Sequence, residues 1–557
     1  MIWASAATRG SASPNRTTVQ LILLTVLYVA VFATTVPKHI GDTYWYGLDV
    51  SRYLAGGTGP GQGRIWEFAH VIWRPLAYVL YRLFGGIITS FRGNDLHTNV
   101  IWIMMAVNAT AGWCGCLAFS RVLTKLSGPR TGLLLTGSFL CTNGVLNYMH
   151  AGSAWMPGLA MLCVAFWLAQ GEGAPWVVGI VSAASVLFWV PYVISIPGVF
   201  AFKAMSSGPD MESKRTLRWM GQAALAFCLT IGGTYGIAIG AGGIRTPDQF
   251  RSWVKSSENE NAQSYNWARA VSGIPRSFVD TGDDGLMLKR YFFKDPYASV
   301  GKRDLLTGGV GRMVIFYLFF ALVIWQLWRE PADRATLWLF LGNWALMIVL
   351  AVIVFEPGSR ERYLPVYPVT YIAIAQCLRK NVTGSWSRSI IACVAGPLLI
   401  ATNWVALGST GLEKEYNAVI ERRMSLDRII PKSAIAIMLE GDPLTILPAV
   451  NPLDARFRPE HFEPHWAVEP GTTSEKTWRQ DFVQIARASW DKGGEVWISK
   501  RLLAERPKPE WRWVEGENGV LWWKDLRSYF RALETDRETE GEDGFVRVAH
   551  SQGAEVL

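Results

Sequence analysis

Apolar stretches long enough to cross a lipid bilayer recur along the chain up to about residue 410. A helical span needs roughly 20 apolar residues, and charged residues almost vanish from stretches of that length. The pattern predicts a polytopic α-helical membrane protein of about 11 spans, at 18–36, 97–120, 131–149, 153–170, 174–189, 190–205, 219–241, 311–328, 335–355, 363–378 and 389–409. Pro191 and Pro197 interrupt the run at 173–202, which is read either as two short spans or as one kinked span.

The basic residues between these stretches predict the orientation of the spans. If the amino terminus is cytoplasmic, as an uncleaved first span implies, basic residues should occupy alternate loops. They do so at 121–130, 203–218, 329–334 and 379–388, provided that the run at 173–202 crosses twice. This alternation of basic loops predicts which segments lie outside the cytoplasmic (inner) membrane: 37–96, 242–310, 356–362 and everything after about 410.

The region at 411–557 is charged and amphipathic, unlike the preceding part of the chain. Its short apolar runs at 433–439, 495–498 and 520–523 indicate strands, and 478–488 indicates a helix. The composition after about residue 534 is acidic and typical of disorder. The sequence therefore predicts a transmembrane domain at 1–410, followed by a small extracytoplasmic (periplasmic) α/β domain at 411–557.

Composition narrows the possible functions. Half of the residues are hydrophobic and 18% are charged, whereas a soluble chain carries about 25% charged residues. The net charge of +9 suggests nucleic acid as a partner, but the positive-inside bias explains the basic loops without one. All seven cysteines lie in apolar stretches, which argues against a disulfide framework and against a zinc site.

Two acids follow the first predicted span. Asp42 and Asp49 are seven residues apart, so a helix would place both carboxylates on one face. A carboxylate just outside a span is partly shielded from water by the helix bundle, which makes it a candidate general base. The alternative is an ordinary solvated loop.

The segment at 66–84 is amphipathic, because Glu67, His70, Arg74 and Arg82 interrupt its apolar residues. This pattern favours a helix that lies on the outer membrane surface over one that crosses the bilayer. Its simplest role is that of an anchor.

The outer turn around residue 360 contains two arginines, against the positive-inside bias. Arg360 and Arg362 could hold a lipid-linked phosphate through charge-assisted hydrogen bonds. Alternatively, they form ion pairs with Glu356 or Glu361 that close the helix bundle. The residues alone leave both interpretations open.

These elements, in this order, resemble the GT-C superfamily of membrane glycosyltransferases. The similarity is to the branch of the protein O-mannosyltransferases and aminoarabinose transferases, which use polyprenyl-phosphate sugars. It covers roughly residues 18–410. The motifs that carry it are an acid after the first span with nearby tyrosines, a basic-Pro-Leu element, and an arginine turn that precedes a span: Asp42, Tyr44 and Tyr46; His70 and Arg74-Pro75-Leu76; and Arg360-Glu361-Arg362-Tyr363-Leu364-Pro365.

The resemblance implies a role for each of these positions. Asp42 is expected to be the catalytic base. Asp49 is the candidate for a second catalytic acid, because this chain has Asp42-Thr43 where the mannosyltransferase branch has Asp-Glu. The remaining expectations are donor phosphate binding by Arg360, Arg362, His70 and Arg74, and a substrate cavity lined by Tyr44, Tyr46, Glu361 and Tyr363.

The predicted function is transfer of a sugar from a polyprenyl-phosphate donor to a hydroxyl of a glycan, lipid or protein, with inversion and on the outer face of the membrane. The sequence shows no phosphate-cradling loop and no paired acids for a metal, so neither a cofactor nor a divalent metal is expected. One alternative is a polysaccharide polymerase or ligase that uses a pyrophosphate-linked lipid. Others are a lipid or solute transporter and a membrane-anchored assembly protein.

Overall fold

The computed structural model of the chain forms two compact units. Residues 1–280 with 312–409 make the first unit, and 281–311 with 410–557 make the second. The structure describes residues 14–37, 42–56, 65–92, 96–171, 173–206, 213–255, 257, 267–281, 291, 300–307, 309–353, 357–379, 386–408, 429–431, 434–439, 466–468, 478–491, 493–504, 516–533, 535–539 and 544–549.

The first unit is helical. Its α-helices are α1 Pro14–Thr34, α2 Thr43–Leu54, α3 Trp73–Arg92, α4 Leu96–Ser127, α5 Pro129–Leu140, α6 Asn143–Tyr148, α7 Trp155–Gln170, α8 Pro175–Phe188, α9 Ile196–Ser206, α10 Ser213–Ala241, α11 Pro247–Lys255 and α12 Trp267–Phe278. After a short α13 (Lys302–Thr307) in the second unit come α14 Gly309–Arg329, α15 Arg334–Ile353, α16 Tyr367–Cys377, α17 Trp386–Cys393 and α18 Leu399–Leu407. The 3-10 turns are Val190–Ser195, Pro331–Asp333 and Arg360–Val366.

Several of these helices are suited to a membrane. Within the described residues, five are long and apolar enough to cross a bilayer: Leu96–Ser127, Lys214–Ala241, Gly309–Arg329, Pro331–Ile353 and Trp386–Leu407. The shorter apolar helices are Thr18–Thr34, Trp155–Gln170, Pro175–Phe188 and Val190–Ser206. The chain is therefore a multi-span helical membrane protein.

Helix breaks inside the apolar stretches follow local sequence. The run at 173–202 divides at Trp189, whose backbone is extended, and a 3-10 turn with Pro191 near its start begins at Val190. Proline disfavours a continuing helix because it lacks the N–H donor and clashes with the preceding turn. The stretch at 131–149, expected to be one helix, is interrupted at Cys141 and Thr142 and gives α5 and α6.

The amphipathic segment differs from the expected helix at 66–84. Helix α3 begins at Trp73 and extends to Arg92, with Pro75 in its first turn, where proline is tolerated. Glu67 and His70 lie in the turns before the helix. The exposed apolar residues of α3 are Val79, Leu83, Phe84, Ile87 and Phe91.

The apolar helices of the first unit alternate in direction between the two ends of the unit. The Gly152 N–H donates to Oγ1 of Thr43 over 2.8 Å, and the Trp73 indole donates to the Gly152 carbonyl over 3.0 Å. The end of α8 and the turn Arg360–Val366 reach the same region, which we call the Asp42 end. Because successive apolar helices alternate in direction, the connections at 127–129, 170–175 and 329–334 lie at the opposite end.

The second unit contains a mixed five-stranded sheet of order β2-β1-β3-β5-β4. The strands are β1 Ile435–Leu439, β2 Trp466–Val468, β3 Val496–Ser499, β4 Thr535–Glu538 and β5 Phe545–Val548. β1 pairs in parallel with β2 and β3, and β5 pairs antiparallel with β3 and β4. Two helices, α19 (Trp478–Trp490) and α20 (Gly516–Ala532), contribute Phe482, Leu526 and Phe530 to its core.

Two expectations for the carboxyl-terminal region were wrong. The run at 520–523, expected to be a strand, lies inside α20. The stretch after residue 534, expected to be disordered, contains β4 and β5. Phe545, Val546 and Val548 are buried against the sheet core, so local apolar residues outweigh the acidic composition around them.

We expect Asn403→Ala to destabilise the first unit. Asn403 is fully buried, and its side-chain amide donates to the carbonyls of Cys141 (2.8 Å) and Phe278 (2.7 Å) and accepts from the N–H of Asp280 (2.8 Å). Each buried polar group that loses its partner costs about 1–3 kcal/mol, so the thermal midpoint of the purified protein in detergent should fall. Val405→Ala, at an 82% exposed position of the same helix, is the matched control. Equal midpoints for the two variants would contradict the structural role of Asn403.

Candidate functional site

Asp42 lies at the amino terminus of α2, directly after the segment that leaves α1. Thr35 and Gly408 form a β-bridge, and the Val36 N–H donates to the Leu407 carbonyl over 2.9 Å, so this exit is fixed to the end of α18. Asp42 occupies the N-cap position without a side-chain cap bond. Its Oδ2 instead accepts a hydrogen bond of 3.2 Å from the Tyr46 hydroxyl, one helical turn later.

Asp42 keeps solvent-exposed surface, although protein groups crowd its carboxyl. We call the water-accessible space at this carboxyl the recess. Burial raises the pKa of the Asp42 carboxyl above its ordinary value, and the carboxylates of Glu361 and Glu67 raise it further, whereas His70 and Arg362 lower it. Groups from the segment before α3 and from the turn Arg360–Val366 therefore act on Asp42 at the recess.

The turn Arg360–Val366 is fixed by bonds to its backbone from neighbouring elements. Ser277 on α12 donates its hydroxyl to the carbonyl of Arg360 over 2.7 Å. Ser195, the last residue of the 3-10 turn after α8, donates its hydroxyl to the carbonyl of Pro365 over 2.7 Å. Tyr363 is fully buried, and its hydroxyl donates to the carbonyl of Pro357 over 2.7 Å. Tyr363 is therefore packed beneath the turn, whereas the sequence predicted that it lines a cavity.

Glu361 and Arg362 form a connected pair on this turn. The Tyr148 hydroxyl donates to Oε2 of Glu361 over 2.8 Å, and Nε of Arg362 lies 3.8 Å from Oε1 of the same carboxylate. The Arg362 guanidinium also lies 5.8 Å from the ring centroid of Trp189. The Arg362 side chain is 13% exposed and Arg360 is buried. Of the two arginines, Arg362 is therefore the one placed to meet a ligand in the recess.

Arg74 is held by two carboxylates. Its guanidinium lies 2.8 Å from Asp49 and 3.0 Å from Glu67, and 5.0 Å from the ring centroid of Tyr46. These contacts tie α2 to the start of α3. They also engage Asp49, the expected second catalytic acid, and balance the charge of Arg74, an expected phosphate ligand. The catalytic role expected for Asp49 and the phosphate-binding role expected for Arg74 stay predictions.

His70 is buried and neutral near pH 7. Burial lowers the pKa of its imidazole to about 4, and the nearby Arg74 and Arg362 act in the same direction. Nδ1 donates to the carbonyl of Phe188 over 2.9 Å, an assignment that follows because a carbonyl only accepts. Nε2 of this neutral tautomer is then a hydrogen-bond acceptor. In this state the ring carries no positive charge, and the phosphate-binding role expected for His70 stays a prediction.

The structure thus assembles half of the ten predicted positions and adds others. Asp42, Tyr46, His70, Glu361 and Arg362 come together, and the side chain of Tyr44 lies outside the described residues. The interacting residues that the sequence motifs did not single out are Glu67, Tyr148 and Trp189. Tyr148 and Trp189 lie in apolar stretches, where nothing in the local pattern distinguishes them from packing residues.

Comparison with solved structures identifies the fold. The chain is similar to apo ArnT from Cupriavidus metallidurans, at 11% identity over 97% of this chain and 99% of that chain, with a TM-score of 0.52. ArnT bound to undecaprenyl phosphate aligns over the same shares at 11% identity with a TM-score of 0.49. The apo Archaeoglobus fulgidus oligosaccharyltransferase aligns at 12% identity over 92% and 72% of the two chains, with a TM-score of 0.44.

The similarity to apo ArnT extends over nearly the full length of both chains. This chain therefore has an ArnT-like fold, and the resemblance inferred from the motifs is confirmed at the level of the fold. No family model and no curated protein matches the sequence.

Proposed function

We propose that the protein is an integral membrane glycosyltransferase that moves a sugar from a polyprenyl-phosphate donor to a hydroxyl acceptor. The observation that carries the proposal is that charged groups distant in sequence, Arg362 among them, act on the Asp42 carboxyl at the recess. The ArnT-like fold supports it, and a polyprenyl phosphate is the class of ligand bound in one ArnT crystal. A proton acceptor and a fixed cation are the two groups that the reaction needs.

In the proposed reaction, Asp42 removes the proton of the acceptor hydroxyl. The acceptor oxygen forms a bond to the anomeric carbon, and the bond from that carbon to the phosphate oxygen breaks. Direct displacement of this kind inverts the anomeric centre. A raised pKa makes the Asp42 carboxylate a better base, and the hydrogen bond from Tyr46 orients it.

Arg362 is proposed to stabilise the negative charge that develops on the phosphate. A preorganised cation in a partly dehydrated site is more effective than one in water, and contacts with Glu361 and Trp189 hold the guanidinium in place. A lipid-linked phosphate leaves without protonation, so the proposal needs no nucleotide and no divalent metal. His70 Nε2, a neutral acceptor, suits a hydroxyl of the acceptor or sugar better than it suits the phosphate.

The membrane arrangement that we propose has eleven passes, with the recess on the outer face. The basic residues of the connections lie at the end of the first unit opposite Asp42, as the positive-inside bias requires if that end is cytoplasmic. The amino terminus is then cytoplasmic, and the carboxyl-terminal domain is extracytoplasmic. The acceptor, whether glycan, lipid or protein, is reached from outside.

We expect Asp42→Asn to lower sugar transfer from a polyprenyl-phosphate donor by about 10²–10⁴-fold, the usual contribution of a general base. The measurement is product formation by the purified full-length protein in lipid nanodiscs. Asp248→Asn, at an exposed position on α11, makes the same chemical change away from the recess and should leave the rate unchanged. Full activity of Asp42→Asn would contradict the role of Asp42 as general base. It would favour a transporter, or a polymerase that does not need this acid.

Arg362→Ala should reduce kcat/KM for the donor by about 10²-fold, because one preorganised charge contact is removed from the transition state. Arg362→Lys should recover part of the rate, since it keeps the charge but loses the planar fork. The exposed Arg251 on α11 provides a matched control, Arg251→Ala. If Arg362→Ala leaves both kcat and the apparent donor affinity at the wild-type value, Arg362 does not bind the phosphate.

The pH profile of kcat/KM should report the surroundings of Asp42. Activity requires the ionised carboxylate, so the rate should fall as the pH drops through a pKa higher than that of an ordinary aspartate. Glu361→Gln removes a negative charge that raises this pKa, so the acid limb should move to lower pH. An acid limb that stays in place while only the plateau falls would mean that Glu361 acts through structure alone.

A further inference from the structure

The end of the helix bundle opposite the recess carries arginines stacked on exposed tryptophans. The Arg329 guanidinium lies 4.6 Å from the ring centroid of Trp325, and that of Arg334 lies 5.8 Å from the ring centroid of Trp328. Trp386 approaches Trp325 with a centroid separation of 6.4 Å. We call these five residues the arginine–indole patch; they join α14, α15 and α17.

The patch is open to its surroundings. Trp325 is 39% exposed, Trp328 is 55% exposed and Trp386 is 65% exposed, and both arginines are exposed. Among the described residues, no carboxylate forms a salt bridge with Arg329 or Arg334. Large indoles are costly to expose to water, but at the ends of apolar helices they suit the bilayer interface.

The charges around the patch are mainly positive. Arg379 and Arg388 lie at the adjoining ends of α16 and α17, and two acids, Glu330 and Asp333, lie in the connection from α14 to α15. Oδ1 of Asp333 accepts a hydrogen bond of 2.7 Å from the Gln376 amide, which directs this acid towards α16. Arg329 is also the last residue of α14, where a cation is favoured by the helix dipole. That role accounts for Arg329 but does not account for Arg334, the first residue of α15.

We propose that the arginine–indole patch binds the phosphate group of an anionic phospholipid. A guanidinium over an indole face still presents N–H donors at its edge, and the indole N–H is a further donor, so a phosphate oxygen can meet several of them. Basic pockets between spans at the cytoplasmic side are suited to anionic headgroups. This site is separate from the recess and does not depend on the proposed transfer reaction.

Apolar surface next to the patch favours a lipid over a soluble phosphate compound. Trp338, one turn beyond Arg334 on α15, is 62% exposed, and Ile390, one turn beyond Trp386 on α17, is 41% exposed. These side chains continue from the patch along apolar helices that are suited to the bilayer. A phospholipid would therefore place its acyl chains on this surface while its headgroup meets the arginines.

The test compares lipid binding by the purified full-length protein with native mass spectrometry. Phosphatidylglycerol and phosphatidylcholine with identical acyl chains are titrated separately into the detergent-solubilised protein. We expect wild-type protein to bind phosphatidylglycerol more tightly. The double variant Arg329→Ala, Arg334→Ala should weaken that binding by at least about tenfold, because each basic residue near anionic lipid contributes roughly fivefold.

The matched control is the double variant Arg245→Ala, Arg251→Ala. It removes the same charge from exposed positions at the Asp42 end, so phosphatidylglycerol binding should remain as in wild-type protein. If the alanine variant at the patch fails to fold, Arg329→Lys with Arg334→Lys keeps the charge and should keep the preference for phosphatidylglycerol, with affinity lowered a few-fold.

Three results would overturn the proposal. One is equal affinity of wild-type protein for the two lipids. Another is an equal loss of binding in the patch variant and the control variant, which would indicate a general charge effect. The third is competition by inorganic phosphate at millimolar concentration, which would indicate a soluble phosphate ligand instead of a lipid.

Discussion

The recess depends on hydrogen bonds that fix the backbone of the turn Arg360–Val366. Ser277 and Ser195 donate to carbonyls near the two ends of this turn, and Tyr363 binds the Pro357 carbonyl beneath it. These contacts are buried, so each is costly to lose. They determine which way Glu361 and Arg362 point, and thereby which charges Asp42 meets. The charges around Asp42 therefore depend on the packing of α12 and of the turn after α8.

The charged residues around Asp42 form two separate groups. In the first group, salt bridges from Arg74 to Asp49 and Glu67 join α2 to the start of α3. Glu361 and Arg362 form a second group, held by Tyr148 and Trp189. The first group balances its own charges, and the second leaves Arg362 with access to the recess. His70 lies near both groups, and burial lowers the pKa of its imidazole.

The sequence predicted the architecture of the membrane unit well because long apolar stretches and proline breaks are local signals. Within the described residues each predicted span contains helix, although 131–149 is interrupted at Cys141 and Thr142 and the run at 173–202 is two helices. The arrangement of side chains at the recess could not be predicted from local sequence patterns alone. The motifs singled out Asp42 and Arg362, but not the contacts of Tyr148 with Glu361 or of Arg74 with Asp49, which depend on how distant segments pack. In the second unit, composition suggested disorder where β4 and β5 form, because strand pairing is a tertiary effect that composition does not report.

We propose that the recess holds a polyprenyl phosphate between Arg362 and Asp42. The most direct measurement is a cryo-electron microscopy structure of the full-length protein in nanodiscs with a polyprenyl phosphate bound. We expect the phosphate within hydrogen-bond distance of the Arg362 guanidinium, on the side that faces the Asp42 carboxylate. A phosphate bound elsewhere, with the recess occupied only by water, would contradict it.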